Sequence, residues 1–349
     1  MPRVTQPRLG RKWRGRLDDY VTAIAWSPNS QQVAACDGAG NVQCLNRITQ
    51  QTHSLQTGTG QSVDALAYSA DGRFLAAGGQ DGRVSIWEMS GDAPTLFTCL
   101  ENPRTWVDQL AWHPRRPELV FSLGRYAQVW EVETQQVLTT LAFENSSVLD
   151  LAWHPQQDWL AVGGHQGVKI WQDWDQDPAI RELPGSSICV SWSPDGQYLA
   201  SGNLDRTMVV WPSEEDVPWR MTGFPGKVRQ IAWSADAESV DADPLLSAAS
   251  GNCITTWHRL GSGWEAELLE EHTQAVNAIA FQPNTTLLVS AAADDFLCLW
   301  QGGGKLVQAQ KSISGSALAW SPDGQTLALG GQQGEWQLWT QSARGQGFF

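Results

Sequence analysis

One short pattern recurs eight times along the chain and constrains the fold more than any other feature. Each copy opens with a strand-like run that ends on an aromatic residue, passes through a turn, and continues into two further strand-like runs. Their spacing of about 40 residues, with one longer interval, predicts a repeat array whose stacked units share one continuous core. The terminal aromatics are Trp26, Tyr68, Trp112, Trp153, Trp192, Trp233, Phe281 and Trp320.

A second position repeats at the end of the third run of each copy. It is Leu in the first copy and Trp in the other seven, so the two positions together hold most of the 20 tryptophans. Trp buries a large area and needs one partner for its indole N–H. We therefore predict that these side chains pack between neighbouring units and belong to no cofactor site. The eight residues are Leu45, Trp87, Trp130, Trp171, Trp211, Trp257, Trp300 and Trp339.

The seventh copy shows the pattern in its fullest form. Its runs are residues 276–281, 287–290 and 296–300, and His272 lies shortly before the first of them. In this order of residue types the chain resembles the WD40 repeat family, in which each repeat forms one four-stranded blade of a β-propeller. The resemblance extends over nearly the whole chain in its strand pattern, although the polar motif is complete in the seventh copy alone.

The resemblance implies a structural role for His272, Ser290, Asp294 and Trp300. In the family such residues form a hydrogen-bond network inside a blade, and a fully satisfied network makes the blade rigid. A nucleophile triad of His272, Ser290 and Asp294 is the alternative interpretation. Because the family's network faces into the blade, and no phosphate loop or other catalytic motif occurs, we predict a non-enzymatic protein.

Eight copies predict an all-β fold, an eight-bladed WD40-type β-propeller that spans residues 9–340 as a single domain. The eighth copy ends at Trp339 and is followed by a C-terminal tail, residues 341–349, so its blade lacks an outer strand. Residues 9–17 alternate loosely and can supply that strand, which closes the ring and removes two exposed sheet edges. Residues 1–8 are predicted to be a mobile basic arm. The alternative is a ring of seven blades with one degenerate unit outside it.

The charge and hydropathy of the chain limit the classes of molecule that it is expected to bind. The formal net charge is -14, and the basic segment 1–16 is the exception because it contains no acidic residue. An acidic surface repels phosphates, so a nucleic-acid partner is not expected. No apolar run approaches the roughly 20 residues of a membrane span, and the N-terminus has no apolar signal segment. We expect a cytoplasmic monomer that makes no membrane contact.

Cysteine, histidine and acidic residues were the candidates for a metal site. The six cysteines form no CxxC pair, and we interpret them as buried free thiols, including Cys36 and Cys44 on either side of one turn. His113 and His154 replace the Ser of a Ser-Pro turn, which indicates turn capping. Three acidic runs, at residues 173–177, 214–216 and 236–243, could hold Ca²⁺ but lack the spacing of a calcium loop. We predict no metal or cofactor; an accessory protein that handles a metal or small molecule through Cys or His residues, including His165, is the alternative.

The remaining surface is the end of the ring at which the first strand of each copy begins. In this family that face, around the central channel, is the usual site for partners, and aromatic and Arg residues most often anchor interfaces. The sequence therefore predicts a non-enzymatic scaffold that binds another protein or peptide on this top face. The predicted partner-binding residues are Tyr20, Arg104, Trp106, Asp108, Lys227 and Arg229.

Overall fold

The computed structural model describes residues 8–91, 93–144, 146–213, 217–235, 244–261 and 263–341, and within these ranges it contains thirty β-strands and no helix. The strands up to residue 171 are β1 (Leu9–Arg16), β2 (Val21–Trp26), β3 (Gln32–Asp37), β4 (Val42–Asn46), β5 (Thr52–Gln56), β6 (Val63–Tyr68), β7 (Phe74–Gly79), β8 (Arg83–Glu88), β9 (Thr95–Glu101), β10 (Leu110–Trp112), β11 (Glu118–Leu123), β12 (Tyr126–Glu131), β13 (Gln136–Ala142), β14 (Asp150–Trp153) and β15 (Leu160–Trp171). The remaining strands are β16 (Ala179–Trp192), β17 (Tyr198–Asn203), β18 (Met208–Pro212), β19 (Trp219–Met221), β20 (Gln230–Trp233), β21 (Leu246–Ser250), β22 (Cys253–Leu260), β23 (Gly263–Leu269), β24 (Val276–Phe281), β25 (Leu288–Ala292), β26 (Phe296–Gln301), β27 (Lys305–Lys311), β28 (Gly315–Trp320), β29 (Thr326–Gly331) and β30 (Glu335–Gln341).

The eight copies of the sequence pattern fold as eight units, numbered here in chain order. Units one, two and three are β2–β5, β6–β9 and β10–β13; units six and seven are β20–β23 and β24–β27. Unit four runs from β14 into the first half of β16, and unit five from the second half of β16 to β19. Unit eight is β28–β30 together with β1. The protein is thus an all-β propeller.

The strand pairing corrects the predicted number of blades. The described strands form seven continuous sheets, six of four strands and one of six. This is the number of the seven-bladed alternative, and the prediction of an eight-bladed propeller is not supported. The reason lies in β16, which pairs with β15 up to Ser186 and with β17 from Ser187 onward, so units four and five share one unbroken strand.

The ring closes through the N-terminal strand. β1 pairs antiparallel with β30, from Leu9 opposite Gln341 to Arg16 opposite Glu335. The inner strands of successive units contact one another around the whole ring, and β28 of unit eight contacts β2 of unit one. Gln341, assigned from sequence to the tail, is the last residue of β30.

Apolar clusters lie between the units, where the sequence predicted the tryptophans. Burying an indole removes about 200 Å² from water, and losing a buried Trp costs about 3–5 kcal/mol. Five indoles at the ends of inner strands also donate across the interface to a carbonyl of the preceding unit. This bond satisfies the indole N–H, the one polar atom of the buried side chain. These bonds join Trp26 to Ala319, Trp112 to Ala67, Trp153 to Ala111, Trp192 to Ala152, and Trp233 to Ser191.

Several sequence predictions fall outside the described residues. They are the basic arm up to residue 7, the tail from residue 342, and the acidic runs 214–216 and 236–243. The part of the chain that the structure describes includes no long apolar helix of the kind that spans a bilayer.

Candidate functional site

The surface of interest is the end of the ring at which the inner strands begin, and we call it the inner-strand rim. In each unit it runs from the third residue before the sequence pattern of the inner strand to the fourth residue before the terminal aromatic. That last position recurs in every unit, and six units place a polar residue there. These six are Thr22, Asp64, Asp108, Arg229, Asn277 and Ser316.

At three of these positions the side chain bonds to the next unit around the ring. The hydroxyl of Thr22 donates to the carbonyl of Val63 at 2.5 Å, and the hydroxyl of Ser316 donates to that of Val21 at 2.6 Å. The amide of Asn277 donates to the carbonyl of Gly315 at 2.7 Å. Hydrogen-bond donors on short side chains at equivalent positions therefore join neighbouring units along the rim. The sequence did not predict this role, although it shows the periodic placement of small polar residues.

Units two and three place carboxylates where units one, seven and eight place donors. An ionised carboxylate cannot donate to a carbonyl, so Asp64 and Asp108 leave their charges on the rim. Burial, together with the negative charge of Asp64, raises the pKa of Asp108 above its ordinary value. The Ser62 hydroxyl donates to Asp64 at 2.5 Å. This part of the rim can attract a cationic group.

Trp106 stands beside this acidic pair and is the most informative residue of the predicted set. Its side chain is 59% exposed, whereas the other nineteen tryptophans are buried or half-buried. The loop that carries it is held to unit two: Val107 N–H donates to Gly79 at 3.0 Å, and Asn102 N–H donates to Gly82 at 2.8 Å. The exposed indole is thus presented by a fixed backbone.

Arg104 lies in the same loop, exposed and with a positive φ of 70°. Among the described residues Arg104 forms no ion pair, and the same holds for Lys227 and Arg229 just before β20. Tyr20 precedes β2, is 42% exposed, and lays its ring over Gly38.

The predicted partner-binding residues therefore lie on one rim but not in one patch. Unit three brings Arg104, Trp106 and Asp108 together. Unit two separates them from Tyr20, and units four and five separate them from Lys227 and Arg229.

The four residues of unit seven form a continuous chain of hydrogen bonds. Asp294 accepts from His272 Nδ1 at 3.1 Å, His272 Nε2 lies 2.8 Å from Ser290 Oγ, and Trp300 Nε1 donates to Ser290 Oγ at 2.9 Å. Burial alone would raise the pKa of Asp294, but the N–H groups of Thr273 and Phe296 and the adjacent His272 outweigh it and lower the pKa. His272 and Ser290 are buried, so this group is placed to stiffen a blade rather than to reach a substrate.

The residues of the metal alternative are held in other ways. Burial raises the pKa of Cys36 to about 12 and that of Cys44 to about 11, so both remain thiols. His113 and His154 each accept two backbone N–H groups on Nδ1 and cap their own turns. His165 is exposed beside Ser186. Within the described residues no three His, Cys, Asp or Glu side chains are grouped to hold a metal ion.

Comparison with known families gives a consistent match. The family model described as "WD domain, G-beta repeat" matches residues 8–44, 49–88, 135–172, 178–212 and 265–301, which is more than half of the chain. Among solved structures, the computationally designed Ika8 protein is similar, with a TM-score of 0.77 and 21% identity over 93% of this chain and 97% of that one.

Curated relatives match at low identity. The B-type cell cycle switch protein ccs52A of Medicago truncatula is 25% identical over 81% of this chain and 59% of its own. Protein hir-1 of Neurospora crassa is 24% identical over 90% and 34%, and the LST8 homolog of Drosophila melanogaster is 25% identical over 57% and 67%. The chain spans about three fifths of the first of these relatives and about one third of the second.

Proposed function

Because the chain belongs to the WD40 repeat family, we propose that it is a non-enzymatic scaffold whose inner-strand rim binds another protein or a peptide. The observation that carries this proposal is Trp106, the one exposed tryptophan among twenty, on a loop that is fastened to the neighbouring unit. An indole left in water gains a large burial energy when a partner covers it, and a fixed loop loses little entropy in binding.

The charges around Trp106 suggest the chemistry of the partner. Asp64 and Asp108 lie on the same rim, and among the described residues neither carboxylate forms an ion pair; Asp64 accepts a hydrogen bond from the neutral Ser62 hydroxyl. A partner with a basic side chain next to an apolar or aromatic one fits this part of the rim. Arg104 then selects against further basic residues on that side.

The test is a peptide-display selection against the intact protein, followed by affinity measurement on the selected sequences. We expect the selected peptides to contain basic and aromatic residues. Their affinity should fall at least about tenfold in Trp106→Ala, because this variant loses a central aromatic anchor. Asp108→Asn should weaken binding less and reduce its dependence on salt.

The matched control is Ile48→Ala. Ile48 is 70% exposed but lies in the turn between β4 and β5, at the opposite end of the strands. Peptides whose affinity falls equally for Ile48→Ala and Trp106→Ala, or is unchanged by Trp106→Ala, would contradict the proposed rim site.

A further inference from the structure

The interface between units eight and one differs from the others in the size of one side chain. In seven units the third strand ends on a Trp that packs against the preceding unit, as Trp87 does beside Cys44. In unit one that residue is Leu45, which faces Leu338 of unit eight. Because Leu is much smaller than Trp, this interface is filled less far outward than its equivalents.

A cleft of about 550 Å³ lies at this point, with Leu45 and Leu338 in its inner wall. The volume falls within the range of small-molecule sites, about 300–1,000 Å³. We call it the seam cleft, because it opens where β1 of the chain's beginning meets β30 of its end. None of its described lining residues is Cys or His, so it is separate from the metal alternative considered above.

A β-bulge in β1 brings two consecutive side chains into the seam cleft. Arg11 pairs with Trp339 and Trp13 pairs with Leu338, which leaves Lys12 as the extra residue. A bulge of this kind re-aims side chains, and here both Lys12 and Trp13 line the cleft. The sequence pattern had placed Leu9 and Trp13 on one side of the strand, but the bulge sends Leu9 toward unit seven and Trp13 toward unit one.

The charge of the lining is unusual for a protein of net charge -14. Arg47 is paired with Asp323 at 2.9 Å and donates to Thr326 at 3.2 Å, so this pair is neutral as a whole. Lys12 has no ion-pair partner among the residues the structure describes. Its ammonium group is therefore the net charge of the cleft.

Much of the remaining lining is polar, and two of its side chains are held in place. The Gln282 amide donates to the carbonyl of Gly324 at 2.5 Å, and the Gln341 amide donates to Gln282 at 3.2 Å. Side chains that are fixed by their own bonds lose little entropy when a ligand binds. The lining thus offers a ligand the half-buried ring of Trp13 together with fixed amide groups.

We propose that the seam cleft binds a small organic anion, with its carboxylate or phosphate beside Lys12 and its flat apolar part against Trp13. The site is independent of the rim site, since it lies at the other end of the strands. A phosphate and a carboxylate share this chemistry, and the choice of probe separates them.

The experiment measures binding of phenyl phosphate, benzoate and neutral benzyl alcohol to the full chain by saturation-transfer NMR and calorimetry. We expect a dissociation constant of about 1 mM for at least one anion and at least tenfold weaker binding of benzyl alcohol. Binding of phenyl phosphate alone identifies a phosphate ligand, and binding of benzoate alone identifies a carboxylate.

Two variants place the site. Leu45→Trp gives this interface the residue found at the other seven, so it should fold, keep or raise the melting temperature, and lose binding. Lys12→Ala should weaken anion binding at least about tenfold because it removes the charge-assisted bond to the anion, while Arg14→Ala, an exposed cation on the same strand, should not. Binding that persists in Leu45→Trp, binding that Lys12→Ala leaves unchanged, equal affinity for benzyl alcohol, or no binding of any probe would overturn the proposal.

Discussion

Unit seven and unit one fill the same four positions with opposite chemistry. In unit seven these are His272, Ser290, Asp294 and Trp300, joined by hydrogen bonds. Counted from the terminal aromatic and the third-strand end, the equivalent positions in unit one are Leu17, Ala35, Ala39 and Leu45, all apolar. Leu17, Ala35 and Leu45 are buried in one cluster with Trp336.

Unit seven has all four residues of the network, and unit one has none of them. A buried polar group without its partner costs about 1–3 kcal/mol, and the apolar residues of unit one leave no such group at these four positions. Unit one has apolar residues at all four positions. Leu45, the equivalent of Trp300, is smaller than Trp and leaves space beside it, and the seam cleft lies in that space.

The largest expected effect comes from removing strand β1, which is the outer strand of unit eight, the neighbour of unit one. Deletion of residues 1–17 exposes the edge of β30 and removes Leu9 and Leu17, which are 4% and 2% exposed, together with Trp13. We expect a loss of at least about 5 kcal/mol, comparable with the whole stability of a domain. Denaturant unfolding followed by Trp fluorescence measures it.

Deletion of residues 1–7 is the control for this truncation, because it leaves β1 complete. It should shift the unfolding free energy little. Equal stability of the two truncated proteins would show that β1 does not hold the ring.

Breaking the network of unit seven should cost less than opening the ring, but more than any single exposed contact. Ser290→Ala leaves His272 Nε2 and Trp300 Nε1 without a partner in a buried position, and we expect a loss of about 3 kcal/mol. Ser85→Ala is the matched control: Ser85 is buried too, but within the described part of the chain its hydroxyl bonds only to the sulfur of Cys99. Similar losses for the two variants in urea unfolding would mean that the network adds nothing beyond burial.

Most of the fold was predictable because it rests on local periodicity. The spacing of terminal aromatics gave the units, and the missing outer strand after Trp339 gave the closure by residues 9–17. The number of continuous sheets was not predictable, because it depends on whether the chain breaks between two units. At Ser186 and Ser187 it does not, and no residue type in that stretch announces the continuity.

The sites divide in the same way. The network of unit seven follows from residue types at fixed spacings, whereas the seam cleft needs the meeting of residues from both ends of the chain. Leu45 was visible in the sequence as the one departure from Trp, but a cleft beside it also requires the bulge at Lys12, which periodicity does not predict.

The carboxylate of unit seven should also give its network a pH dependence that the four apolar residues at the equivalent positions of unit one lack. Since the pKa of Asp294 is lowered on folding, its contribution is complete above the ordinary value of 3.8 and is lost as the pH falls through the folded-state pKa. Asp294→Asn should therefore cost about 2 kcal/mol at pH 7 and progressively less on acidification below about pH 4. Unfolding of the unsubstituted protein and of Asp294→Asn over this pH range measures the difference in their stability. A difference that grows in acid would contradict the prediction.

The smallest effect is expected at the ion pair of Arg47 with Asp323, which joins unit one to unit eight. Their side chains are 23% and 29% exposed, so Arg47→Ala should cost only about 0.5–1 kcal/mol. Burial raises the pKa of Asp323, but the Ser321 hydroxyl, the Gln325 N–H and Arg47 outweigh it and lower the pKa, so this small contribution also disappears in acid. Arg16→Ala, at a more exposed pair with Glu335, should change stability less still. A loss at Arg47 as large as that of Ser290→Ala would mean that this exposed ion pair stabilises unit one as much as the buried network stabilises unit seven, and the contrast between the two sets of four residues would fail.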